Sequence, residues 1–295
     1  DLRFNVRQLF YEYVSLTARK KLLLYADSIY RLFESKSNKR FETGAANILE
    51  KTAAESRRQQ ITNQLNMLNK DLNVTIKQFN LLLQDTLSYV PQIEHPKIAS
   101  PLLLMDTVSA VDGQPLIELA RQQQEAARYR WRTERSRLLP DFMIGYNNQS
   151  LIGTQQTNGR EVYYEGKDRF SYLSAGINIP LFFRAQSSRA AAAKLEWQSL
   201  TKQATYLRSQ LQIERRNAVG QVIKFQESLH YYENKGLKNA AVIISTADQQ
   251  FQSGEIDYLQ WVILVDQAIT IKNEHINMLS SYNHAVIQLQ KLNNQ

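Results

Sequence analysis

From Leu2 to about Glu34 the apolar positions recur every three or four residues, with Phe4, Leu9, Val14, Leu16, Leu23, Tyr30 and Phe33 set among Arg, Lys, Gln and Glu. That spacing puts one apolar stripe along a helix and predicts a long amphipathic rod. A polar stretch from Ser35 to Gly44 predicts a break. Ile48, Leu49, Ile61, Leu65, Leu68, Leu72, Ile76, Phe79 and Leu83 then restore the helical period, so a second long helix returns. Four of the six prolines (Pro91, Pro96, Pro101 and Pro115) follow within a short stretch. Proline lacks the amide proton a helix needs, so an extended connector is expected over 91–114. Pro115 suits the first turn of a third helix, which ends near Leu138 as Pro140 approaches.

The period then drops to two. Phe142, Ile144 and Tyr146 alternate with Gly145 and Asn147, and Leu173, Ala175, Ile177 and Ile179 alternate with Ser174, Gly176 and Asn178. Successive side chains of a strand point to opposite faces, so each run predicts a strand with one apolar face, and together they predict one β-hairpin over about 139–183. Between them Ser150 to Asp168 reads as a long exposed loop. From about Ser187 to Ser253 no proline occurs, which predicts one or two stacked helices, and a last helix is expected from about Asp257 to Leu292.

Two of the breaks align. Phe41-x-x-Gly44-x-x-Asn47 lies over Phe251-x-x-Gly254-x-x-Asp257 at an offset of 210 residues, and the register continues through Asn73 over Asn283 and Leu82 over Leu292. Glycine can end a helix in the left-handed region and a short polar residue can cap the next, so the shared turn predicts a helix–turn–helix hairpin used twice. The predicted fold class is therefore mainly α: very long antiparallel coiled helices in two repeats with one inserted β-hairpin. Residues 1–90 form the first repeat, 91–114 the connector and 115–295 the second.

Composition narrows the chemistry. The chain of 295 residues has only 10 Gly, 43% apolar and 22% charged residues, which fits a folded protein of long elements rather than a disordered or many-stranded one. No stretch is long and apolar enough for a spanning helix, since Leu22 to Phe33 is interrupted by Asp27 and Arg31. A net charge of +8 is spread along polar faces, as at Arg121, Arg128, Arg130, Arg132, Arg135 and Arg137 with Glu118, Glu125 and Glu134 among them. The absence of Cys excludes disulfides, thiolate metal sites and Cys nucleophiles. His275 and His284 stand nine residues apart on one helix and so face opposite ways, and His230 has only Glu227 and Glu233 nearby. No phosphate loop, nucleophile elbow or dinucleotide fingerprint occurs, so neither catalysis nor a resident cofactor or metal is expected. The chain opens at Asp1 without a leader pattern, and a preceding segment is expected.

Leu139-Pro-Asp-Phe-Met-Ile-Gly-Tyr146 entering one strand, Leu173-Ser-Ala-Gly-Ile-Asn-Ile-Pro-Leu-Phe182 leaving the other, the Ala-rich start at Ala190 to Ala193, and the doubled Phe-x-x-Gly turn resemble the TolC-like outer membrane factor family. The Trp261 to Lys272 run and the Tyr282 to Leu292 ending look most like its heavy-metal efflux branch, including versions fused behind an inner-membrane metal pump. The resemblance implies a homotrimer that forms a β-barrel in the outer membrane and a helical tunnel in the periplasm. Its partners would be a periplasmic adaptor, an inner-membrane efflux pump and outer-membrane lipid, and not nucleic acid.

On that reading Phe142, Ile144, Tyr146, Leu173, Ile177 and Ile179 face the membrane, and Phe142, Tyr146, Phe170 and Tyr172 contribute an aromatic girdle with Phe182 and Phe183. Phe41, Gly44, Asn47, Phe251, Gly254 and Asp257 form the periplasmic tips, with Glu50 and Gln260 as lumen or gate positions and Asp266 one turn beyond Ile263. The family protomer supplies two β-hairpins where this chain shows one. Three copies would give only about six strands, too few for an open bore, so upstream sequence is expected. A soluble coiled-coil scaffold, with Leu173, Ile177 and Ile179 packed on helices, is the competing expectation.

Overall fold

A computed structural model of the chain describes residues 2–83, 89–99 and 113–294. Its elements run α1 (Leu2–Glu42), α2 (Ile48–Leu83), α3 (Pro115–Ser136), β1 (Asp141–Ser150), β2 (Gly153–Thr157), β3 (Arg160–Tyr164), β4 (Arg169–Asn178), α4 (Arg184–Tyr231), a π-turn (Tyr232–Gly236), α5 (Leu237–Ser253) and α6 (Tyr258–Asn294). No helix among the described residues is long and apolar enough to cross a membrane. Pro101 and most of the expected connector, residues 100–112, lie outside the described residues.

The chain divides into two compact units, Asp1–Val111 with Leu211–Gln295, and Asp112–Gln210. The first is helical. Within it α1 packs on α2 and on α6, and α5 packs on α6. Its largest core joins Ala26, Tyr30 and Phe33 of α1, Ala54 and Ile61 of α2, Ala247 of α5, and Tyr258, Trp261 and Val265 of α6. A second core sets Ala218, Val222 and Leu229 of α4 against Tyr282, Val286 and Leu289 of α6. Between them Gly236 lets α6 come close, because a Cβ there would lie 2.9 Å from the Tyr232 ring and 3.5 Å from Ile271. The extended stretch 89–99 is held by side-chain amides in place of regular structure. Buried Asn283 accepts from the Ile98 amide at 2.9 Å and donates to the Pro96 carbonyl at 2.8 Å.

The second unit contains α3, the four strands and the first part of α4. Trp131 of α3 stacks on Trp197 of α4, ring centres 5.2 Å apart, and Gln186 donates to the Glu134 backbone carbonyl at 2.8 Å. Strands β1 and β4 pair antiparallel in full register from Asp141 opposite Asn178 to Ser150 opposite Arg169.

Two expectations are corrected. First, α1 does not break at Ser35. Nothing before Gly44 obliges the backbone to leave the helix, and Ser37 is fully buried, its hydroxyl donating to Glu50 at 3.2 Å. A polar segment thus continues the rod because its small residue faces α2. Second, Ser150 to Asp168 is not a plain loop. It holds β2 and β3, paired from Gly153 opposite Tyr164 to Thr157 opposite Arg160. Asn158 and Gly159, both at positive φ (51° and 74°), make the tight turn that the Asn-Gly pair favours.

Candidate functional site

The two aligned turns are the same structure built twice. Gly44 and Gly254 adopt φ of 75° and 79°, left-handed values that cost a side-chain-bearing residue energy. In the first turn the amides of Ala45 and Ala46 reach back to the Arg40 carbonyl at 2.7 and 3.1 Å. Those of Glu255 and Ile256 reach the Gln250 carbonyl at 2.9 and 3.4 Å. Asn47 then caps α2 by accepting from the Glu50 amide at 2.9 Å, and Asp257 caps α6 by accepting from the Gln260 amide at 2.8 Å.

The side chains around the two turns differ. Gln260 closes a reciprocal capping box, accepting from the Asp257 amide at 3.1 Å. Its counterpart Glu50 turns inward, to Ser37 and to Arg40 at 3.7 Å. Phe251 lies in the aromatic cluster, 5.2 Å from Phe33, while Phe41 is exposed with the Lys51 ammonium 5.1 Å above its ring. Phe33 also stacks on Tyr258 and Trp261 at 4.6 and 4.2 Å, and the Trp261 indole donates to Asp248 at 2.7 Å.

Asp266, one turn beyond Ile263 in the reading of an acidic lining, points into its own unit. It accepts from the buried Tyr30 hydroxyl and from the Arg57 guanidinium, so α1, α2 and α6 meet at one carboxylate. Burial, then the neighbouring carboxylate, push the Tyr30 hydroxyl well above its ordinary value. Burial alone would lower Arg57, but its bonds to Asp266 and Tyr30 outweigh that and raise it. Tyr258 is pushed up to about 12 by burial and by the charges of Glu50 and Asp266. Among the described residues no group of three or more His, Asp and Glu side chains is placed to hold a metal ion. His284 faces Glu12 at 3.6 Å, His230 is exposed beside Asn234, and burial lowers His275 against the pull of Glu233.

The strand pair presents the opposite situation. The register sets Phe142 opposite Ile177, Ile144 opposite Ala175 and Tyr146 opposite Leu173, all on one face. Met143, Gly145 and Asn147, with Gly176, Ser174 and Tyr172, occupy the other. Among the described residues nothing covers the apolar face: Phe142 is 77% exposed, Ile144 86%, Tyr146 64%, Leu173 79%, Ile177 63% and Ile179 60%. No helix among the described residues packs beneath Leu173, Ile177 and Ile179. Phe170 and Tyr172 pair with Gln149 and Asn147 on the other face, which removes them from a girdle built on Phe142 and Tyr146. Each of β1 and β4 keeps one open edge, because they form a two-stranded sheet.

No family model matches the sequence, and no curated protein matches it. Solved structures do. The outer membrane protein VceC from Vibrio cholerae superposes with a TM-score of 0.75 at 13% identity, over 99% of this chain and 69% of that one. CusC, whose structures concern folding and transmembrane channel formation, gives 0.78 at 14% identity over 99% and 67%. The CmeC outer membrane channel of Campylobacter jejuni gives 0.71 at 15% identity over 99% and 62%. The fold is that of a TolC-like channel protomer. It is mainly helical with a small antiparallel strand region, and the chain spans about two thirds of the length of these structures. The matched proteins are channels, not enzymes.

Proposed function

We propose that this chain is part of a protomer of an outer-membrane exit duct, assembled as a homotrimer and joined in the periplasm of a Gram-negative bacterium to an adaptor and an inner-membrane efflux pump. The observation that carries the reading is the strand pair, with its uncovered apolar face and two open edges. In a bilayer every backbone amide must pair, so spanning strands have to close into a barrel with apolar side chains outward and small or polar ones inward. Ten-residue strands with this division have the length and pattern for that role. Strands from further copies, and from the remaining third of such a protomer, would complete the wall.

Cargo passes through such a duct without covalent change. Export of metal cations, rather than small solutes in general, rests on the sequence runs at Trp261 to Lys272 and Tyr282 to Leu292. Trp261, Val265, Ala268, Tyr282 and Val286 of those runs are packing residues of the helical unit. The tips at Gly44 and Gly254 are the proposed meeting points with the adaptor.

The chain has no cysteine, so single introduced thiols report cleanly. In the intact protein in native membranes, Asn147→Cys is expected to react with a membrane-impermeant maleimide and Ile144→Cys to react only after detergent is added. Equal labelling of both would overturn the reading. Recovery of the protein in the soluble fraction with both thiols labelled would favour the elongated scaffold instead.

A further inference from the structure

The charge of this chain is less evenly spread in space than along the sequence. Where α3 ends and α4 begins, residues 128–141 and 179–196 hold eight basic and three acidic side chains, a net of +5 out of +8 for the whole chain. The far end of the strand pair, residues 149–169, holds three of each and is neutral. The basic cluster arises from folding, because Gln186 donates to the Glu134 carboxylate at 2.7 Å and so brings helix ends some 50 residues apart side by side.

All three acids lie within this collar, but two are already engaged. Glu134 pairs with Arg137 at 3.0 Å and Glu196 with Arg130 at 3.3 Å. Arg128, Arg132 and Arg135 recur at helical spacing on one face of α3, beside Trp131 of the Trp131–Trp197 contact. They are exposed, as are Arg184, Arg189 and Lys194 of α4, and none of the six has a carboxylate within ion-pair distance among the described residues. The Arg132 and Arg135 guanidinium groups lie 5.8 and 5.9 Å over the Tyr129 and Trp131 rings, which leaves their N–H groups open to an anion. Leu139, Leu181, Phe182 and Phe183 border the collar at 63%, 77%, 95% and 59% exposure.

Unpaired arginines edged by uncovered apolar and aromatic side chains, at one end only of an apolar strand face, match the chemistry of a membrane surface. We infer that this collar docks the anionic phospholipid headgroups of the leaflet from which the strands rise. The inference rests on the duct reading. It adds that arginine N–H groups hold headgroup phosphates, fixing the depth at which the strands sit.

The test uses the intact protein in detergent, titrated with phosphatidylglycerol or phosphatidylcholine and read by native mass spectrometry as lipid retained. Wild type is expected to prefer phosphatidylglycerol, less so as salt is added. Combined Arg128→Gln, Arg132→Gln and Arg135→Gln is expected to reduce that preference roughly tenfold or more. A control with Lys21, Lys70 and Lys77 changed to Gln, three exposed cations of the helical unit, is expected to keep it. An unchanged preference in the arginine variant, no preference in wild type, or displacement of the lipid by equimolar glycerol phosphate would each overturn the inference. A protein that passes the thiol test at Ile144 and Asn147 yet shows no lipid preference rejects the collar alone. Failure of the thiol test rejects the duct and the collar together.

Discussion

The helical unit and the strand pair both rest on a regular division of apolar from polar side chains, yet only the helical unit covers its own apolar face. Tyr30, Val265 and Leu289 are 0% exposed, whereas Ile144 and Leu173 are 86% and 79% exposed. The difference comes from supply. Two repeats provide several helices whose stripes meet one another, while the described residues offer one long strand pair and no second layer for it. An uncovered strand face of this kind needs a surrounding that the described residues do not supply.

The sharpest way to break the comparison is to truncate one apolar side chain in each region. Phe33→Ala should destabilise the helical unit by about 3–5 kcal/mol in denaturant unfolding, because it empties the centre of the aromatic cluster. Ile144→Ala should leave the same transition where it was, and an equal loss at both sites would mean that the strand face is packed after all. Next in size, Ile144→Arg should cost about 2–4 kcal/mol if that face meets lipid, seen as loss of folded protein from the outer membrane. Asn147→Arg, on the other face, should assemble near the wild-type level.

Within the helical unit, Asn47→Ala and Asp257→Ala should each cost about 1 kcal/mol, since each removes the side-chain cap of a helix. Similar losses would support the equivalence of the two turns; a loss at one alone would break it. The smallest effect concerns acid. Burial disfavours the charged form of His275 and lowers it from 6.5, so the unfolded chain takes up that proton at higher pH than the folded one. This contribution is present above pH 6.5 and is lost as pH falls through the lower folded value. The melting temperature should therefore decline on acidification from pH 7 to 5, and His275→Gln should flatten part of that slope.

Much of the fold was legible because its signals are local. Gly44 and Gly254 end helices through their own backbone freedom, and Asn47 and Asp257 cap the next helix three residues on, so the repeat could be read from single residues at fixed spacing. The alternation at Phe142 to Tyr146 likewise names the apolar face of one strand unaided. Glu50 and Asp266 were not legible as inward groups. Their partners Ser37, Tyr30 and Arg57 are brought to them by packing between helices, and an acid on an amphipathic helix reads the same whether it meets water or a buried hydroxyl. The inner hairpin was legible in principle from Asn158-Gly159, but its short polar strands carry no apolar alternation to draw attention to them.

The amino-acid order by itself determined that Gly44 and Gly254 end helices, that one helical hairpin occurs twice, and which side of β1 and β4 is apolar. These properties depend on neighbours within a turn or a pleat. Only the tertiary structure decided which of those faces is covered, which acids are already paired, and that arginines from two distant helix ends gather beneath the strands. Burial and ionic pairing depend on what the rest of the chain brings close in space, and that is a property of the packed molecule.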